Sequence, residues 1–434
     1  MNKIFKIFIF ILFTTNCSLD KNSSLWSKKN EIKKDNIFKT TELFQDDKAL
    51  ENEFNSNVRL QLSGKPYKNS YENSLTNNVS RVNYDGNLKT SSRFKFSKID
   101  NFHKFEPDII FENKNIIFFN NKGTILKFNE NSKLVWKKNH YNKAEKKLKP
   151  LLNMKVYKNY LIVADNIAKY YAVDVKNGNL LWTKNNSSPF NSQIKIYKNF
   201  FFVIDAENIL RCFSLKNGDE LWNVKTDKSF VKSQKKLSLI ILNETIYFNN
   251  TLGDITAVDI NTGKLIWQTP TQDSSIYQSS FYLKTSELVG TSKSLFFSNN
   301  MNEFYSIDPN TGTLIWKQKI NSSIKPSVVD NLIFTISEEG FLIVIDKDTG
   351  NIIRITNVFN QIKKKKRYKI KPIGFILGKK NIYLSISNGR LIIIDIITGK
   401  SKSILKIDNE RISRPFVLNN KLFIIKDSAI IKLD

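Results

Sequence analysis

Short apolar runs alternate with polar turns along this chain, and the alternation has a fixed period. Each copy holds a turn residue, an alternating apolar strand, an Asp, a Gly turn and then, in most copies, a Trp. The clearest copies run from Gly253 through Asp259 and Gly263 to Trp267, and from Glu303 through Asp308 and Gly312 to Trp316. With the Asp as register mark, copies fall at Asn129, Asp174, Ser214, Asp259, Asp308, Asp346, Asp395 and Asp434, 38 to 49 residues apart. One four-stranded propeller blade takes roughly 40–50 residues. The period therefore predicts an all-β chain: an eight-bladed β-propeller of four-stranded antiparallel blades.

Each part of the unit has a physical reason. Gly follows the mark at 178, 218, 263, 312, 350 and 399, where it accepts positive φ at low cost. An Asp side chain bonds the backbone two residues on and nucleates the turn that Gly completes. Trp136, Trp182, Trp222, Trp267 and Trp316 share one register and offer flat surfaces for packing on the next blade; Arg354 and Ser403 stand there in later copies. Runs such as Leu332–Ile336 and Asn381–Ile386 lead into the turns Glu339-Gly340 and Asn388-Gly389. The strands that follow, Phe341–Ile345 and Leu391–Ile394, are apolar on both faces, as a sheet stacked between two others requires. These Asp, Gly and Trp residues read as parts of the repeat rather than of a reaction centre.

The eighth copy stops at Asp434 and lacks its outer strand. An open edge invites aggregation. The alternating segment Ser92–Ile99 is expected to supply the missing strand and close the ring. Residues 91–434 thus form one propeller. Upstream, residues 1–16 read as a secretory signal, with Lys3 and Lys6 ahead of an apolar core at Ile7–Phe13. Cys17 follows in the manner of a bacterial lipobox, so it is the expected lipidation site. Residues 17–90, rich in Asn, Lys, Ser and Glu, read as a lipidated N-terminus and flexible linker. Cys212, the other cysteine, lies in a repeat strand and reads as a small buried hydrophobe.

The formal charge is +28, but the Lys and Asn bias runs through the whole chain. Its densest run, Lys363–Arg367, suits anionic headgroups or an acidic protein face. Nucleic acid is not an expected partner, because a secretory signal takes the chain away from it. Catalytic equipment is sparse. The two histidines, His103 and His140, sit outside any motif, and there is no Walker loop, CxxC pair or HExxH motif. No catalytic residue, metal site or cofactor is predicted.

The stretch Ala257–Trp267 resembles the repeat of pyrroloquinoline-quinone (PQQ) type propellers. That repeat is shared by quinone-dependent dehydrogenases and by cofactor-free propellers, including BamB-type lipoproteins of outer-membrane β-barrel assembly. The dehydrogenases carry a vicinal cysteine pair, a calcium site and long insertions, and this chain has no adjacent cysteines. The resemblance therefore implies a non-catalytic, lipid-anchored scaffold at the periplasmic face of the outer membrane. Its implied partners are the core protein of the barrel-assembly machinery and unfolded outer-membrane proteins, with the chain a monomer within a larger complex. Phe230 and Val231, two apolar residues in a basic inter-blade loop, are the candidate partner-binding residues. The alternatives are a propeller that binds another partner, such as cell-envelope polysaccharide, and a PQQ-dependent dehydrogenase.

Overall fold

The computed structural model describes residues 52–100, 102, 105–227, 236–271 and 283–434. Eight four-stranded antiparallel sheets form an eight-bladed propeller. Blades 1 to 7 are consecutive hairpins from Ile110–Lys138 in blade 1 to Pro372–Lys406 in blade 7. Blade 8 takes three strands from Phe416–Leu433 and its outer strand, Thr90–Lys95, from far upstream. Arg93 lies opposite Ile431 and Phe94 opposite Ile430, so the N-terminal strand closes the ring as the repeat count requires. Within the described residues no helix is long and apolar enough to cross a membrane.

The core is divided among the junctions between blades. One cluster joins Ile333 and Ile343 of blade 6 to Phe296 and Phe304 of blade 5, and equivalents fill the other junctions. A third strand such as Phe341–Asp346 is buried on both faces up to its last residue. An outer strand such as Leu180–Asn185 is wetted on one side and alternates exposed with half-buried positions.

Every outer strand of blades 1 to 7 also carries a bulge just after its turn. In blade 2, Trp182 lies opposite Ala172 while Leu180 lies opposite Val173, leaving Leu181 unpaired. A bulge adds a residue and re-aims its neighbours. Here it points the Trp into the blade junction and leaves both preceding aliphatics in water.

Residues 52–90 correct the sequence reading. They were expected to belong to a flexible linker, yet Leu60, Val82 and Tyr84 are buried and the segment runs against the ring. It holds on through backbone bonds, Asn side chains and a few widely spaced apolar residues that join the blades' core clusters, so its composition conceals it. The expected signal peptide, Cys17 and the start of the expected linker lie outside the described residues.

Candidate functional site

The repeat residues form a girdle. Trp136, Trp182 and Trp316 each donate Nε1–H to the carbonyl of the residue after the next blade's register mark, at 3.0–3.3 Å. Trp267 does the same to Pro309, at 3.0 Å. Trp222 packs in the same way beneath Gly263. Gly178, Gly218, Gly312 and Gly350 lie on the other Trp rings, and Gly399 lies on Arg354, all at positive φ. Asp174, Asp259, Asp308 and Asp346 accept the N–H two residues on, and Asp395 accepts that of Thr398. Arg354, fully buried, substitutes for Trp: its guanidinium donates to Ile396 O at 3.3 Å and to Ile397 O. These side chains are occupied in holding blades together.

The other predicted residues are scattered. His140 is half-buried at the blade 1–2 junction, its Nε2 3.1 Å from Gly178 O. Cys212 is buried opposite Trp222, and burial pushes its thiol up to about 12. Lys364–Arg367 forms one exposed helical turn. Phe230, Val231 and His103 lie outside the described residues.

Two features that the repeat does not reveal stand out. The first is the hub. Residues 67–84 cross the axis and plug it beside the inner strands. Ser70 N–H donates to Val417 O in blade 8, and Ile241 N–H of blade 4 donates to Leu75 O. Gly290 N–H of blade 5 donates to Thr76 O, and Val82 N–H donates to Leu377 O of blade 7. Asn77, buried at φ 60°, sits at the crossing and donates to Gln193, Ser238 and Leu288, one in each of blades 3 to 5. Asn adopts this left-handed conformation more readily than most residues.

Against the plug lies a cavity of about 140 Å³. Its lining includes Asp108, Lys155, Lys195, Lys236, Glu287, Lys325 and Arg414, five cations against two carboxylates. Asp108 bonds Lys236 at 2.9 Å and Arg414 at 2.6 Å; Glu287 bonds Arg414 at 2.6 Å and stands 3.5 Å from Lys325. Burial works to raise both carboxyls, but the cations outweigh it, holding Asp108 far below the usual range and Glu287 at about 2. Burial and the nearby Arg414 bring Lys325 down to about 8. Lys195 reaches only Asn77 Oδ1, at 2.5 Å, and Ser74 O. Burial depresses both Lys195 and Lys155. Each hub residue comes from a different blade, at or just before an inner strand. Alignment of those positions, rather than of the Asp mark, would have exposed the ring of charge.

The second feature is the rim. The bulges expose Leu134 and Val135, Leu180 and Leu181, Leu265 and Ile266, and Leu314 and Ile315, each about half accessible. In blade 6 the equivalent edge is covered by the chain itself. Phe54 and Ile355 exchange both backbone hydrogen bonds, at 3.1 and 2.8 Å, and Arg354 Nη1 donates to Val58 O at 3.0 Å. This is a one-residue antiparallel bridge followed by a turn at Asn55, rather than a fifth strand. Among the described residues the outer edges of blades 1 to 5 carry no such bridge.

Comparison with known proteins agrees with this architecture. The family model described as "Outer membrane protein assembly factor BamB" matches residues 121–356, more than half of the chain. The crystal structure of BamB from Moraxella catarrhalis superposes with a TM-score of 0.64 at 14% identity, covering 80% of this chain and 100% of that one. A europium-containing methanol dehydrogenase gives 0.62 at 10% identity, covering 82% and 89%. The computationally designed protein Ika8 gives 0.57 at 12% identity, covering 78% and 99%. At these identities the structural likeness concerns fold alone. No curated protein sequence matches the chain.

Proposed function

Because the chain belongs to the family of the outer membrane protein assembly factor BamB, we propose that it is a non-catalytic scaffold for assembling β-barrel proteins into the outer membrane. In this reading Cys17 carries the lipid, the propeller stands at the periplasmic face, and the ring docks on the core of the assembly machinery. The observation that carries the reading is the backbone bridge that Phe54 makes to the open edge of blade 6. An extended chain can add a strand to an exposed edge, with main-chain bonds for affinity and side-chain pockets for selectivity. Blades 1, 2, 4 and 5 offer open edges flanked by exposed aliphatic pairs. A nascent barrel strand, apolar on alternate residues and still unpaired, has the matching chemistry.

In the hub, cations outnumber carboxylates five to two, a lining that suits a calcium-dependent dehydrogenase less well than a scaffold. The two hub carboxylates are already engaged by cations. Photocrosslinkers at Leu181 and Ile266 should capture unfolded barrel proteins in intact cells, and affinity capture should recover the assembly core. Loss of the gene should lower porin levels in the outer membrane. If porin levels hold and neither partner is captured, the proposal fails. Purified protein given PQQ and calcium should reduce no redox dye; sustained turnover would establish the dehydrogenase instead.

A further inference from the structure

We propose that the hub cavity binds a small, multiply charged oxyanion of the phosphate class. Such a site is independent of the assembly role, and charge defines it first. Five cationic side chains and two carboxylates line one half-open cavity, and both carboxylates are paired with Lys236, Arg414 and Lys325. Among the described residues neither the buried Lys195 nor the half-buried Lys155 forms an ion pair, and the Lys155 ammonium has no hydrogen-bond partner. A buried charge without a counter-ion is expensive, and proteins neutralise it or pair it.

A second observation points to a ligand. Asn153, 6% exposed, lines the same cavity, and its side-chain oxygen is buried without a partner. Among the described residues its amide nitrogen makes no hydrogen bond either and is not buried as the oxygen is, so its N–H is available to an incoming oxygen. Lysines donate from several directions, and an amide adds a directed bond, which suits a tetrahedral oxyanion better than a planar apolar ligand. The space, about 140 Å³, is roughly ten times what one water requires. It is small enough to favour a phosphate, or a phosphate monoester with a short substituent, over a polymer. The plug makes the site specific to the intact hub, because Asn77 and Ser74 fix Lys195 from above.

The test is isothermal titration and thermal melting of the full-length protein at constant ionic strength. Inorganic phosphate and glycerol phosphate are the probes, with chloride as the control. Inorganic phosphate should bind saturably at one site and raise the melting temperature, as any ligand selective for the folded state does. Binding of glycerol phosphate as well would identify a monoester-tolerant site, and its rejection a site for the free ion. Lys155→Met and Lys195→Met should each weaken binding by about tenfold or more, the effect of losing one charge-assisted bond. In phosphate-free buffer Lys155→Met should melt no lower than the parent protein, because it removes an unpaired charge; this separates lost binding from lost folding. Replacing Lys364–Lys366 with Ser should leave binding intact. The proposal is overturned if phosphate gives no more stabilisation than chloride, or if both Met variants bind it as the parent does.

Discussion

Residue by residue, the girdle shows what the repeated side chains are for. Trp316 stacks on Phe304, donates to Lys347 O and lies under Gly350, whose φ is 75°. A Cβ on Gly350 would sit 2.6 Å from the indole. Trp316→Phe keeps the ring but loses the donor, so it should destabilise the fold by about 1 kcal/mol in urea unfolding. Gly350→Ala meets both an unfavourable φ and a clash, and ~2 kcal/mol or more is expected. If the order of these two were reversed, backbone geometry would not be the tighter constraint. A different balance governs Asp165. Its carboxylate accepts from Tyr141 Oη at 2.6 Å and from the N–H groups of Ile167 and Lys169 at 2.9 Å. Burial nevertheless prevails, raising its pKa from 3.8 to about 6. The folded state then holds the proton more tightly than the unfolded chain. This contribution to stability is full below pH 3.8 and is lost as pH rises through about 6. Asp165→Asn stays neutral, so its urea midpoint should fall less between pH 4 and 6 than that of the parent. Parallel pH profiles would mean that Asp165 is not the group responsible.

At the scale of elements, the hairpins and their turns were legible because they are local: a strand needs only its own alternation and a turn only its Asp and Gly. The bulge was not. The triplet Leu180-Leu181-Trp182 looks like a continuation of the apolar strand, and only pairing with Ala172 and Val173 shows that both leucines face water. Blade 6 shows what such an edge can accept. Its Arg354 satisfies the carbonyls of Ile396 and Ile397 in blade 7 and reaches across to Val58 of the bridged segment. One side chain thus couples a blade junction to the segment bridged to its edge. Arg354→Ala should loosen residues 52–62 while leaving the ring folded. Limited proteolysis would show it as early cleavage within that segment, ahead of any loss of β-sheet circular dichroism. Simultaneous loss of both signals would instead make Arg354 a determinant of the whole propeller.

For the whole molecule, ring closure followed from counting, since seven complete copies and one truncated copy demanded a strand that only the N-terminal side could supply. The hub escaped that count. Asp108, Glu287, Lys325 and Arg414 stand two residues ahead of inner strands in four different blades, outside the repeated phrase and unlike one another. Their meaning arises only when the circle brings them together. The plug was hidden for a related reason: an Asn-rich segment that binds through main-chain groups has the composition of a linker. Yet it ties blades 4, 5, 7 and 8 by backbone bonds across the axis, whereas blade junctions tie only neighbours. Ring closure does not depend on it, because Thr90–Lys95 lies downstream. Removal of residues 52–84 should therefore leave a folded propeller with a lower melting temperature. Hydrogen exchange should quicken at the inner strands Leu239–Leu242 and Ser327–Val329, which face the plug, and change little at outer strands such as Leu180–Asn185. Uniform acceleration in every strand would mean that the segment is part of the cooperative fold; no change at the inner strands would mean that the axis is held by the blades alone.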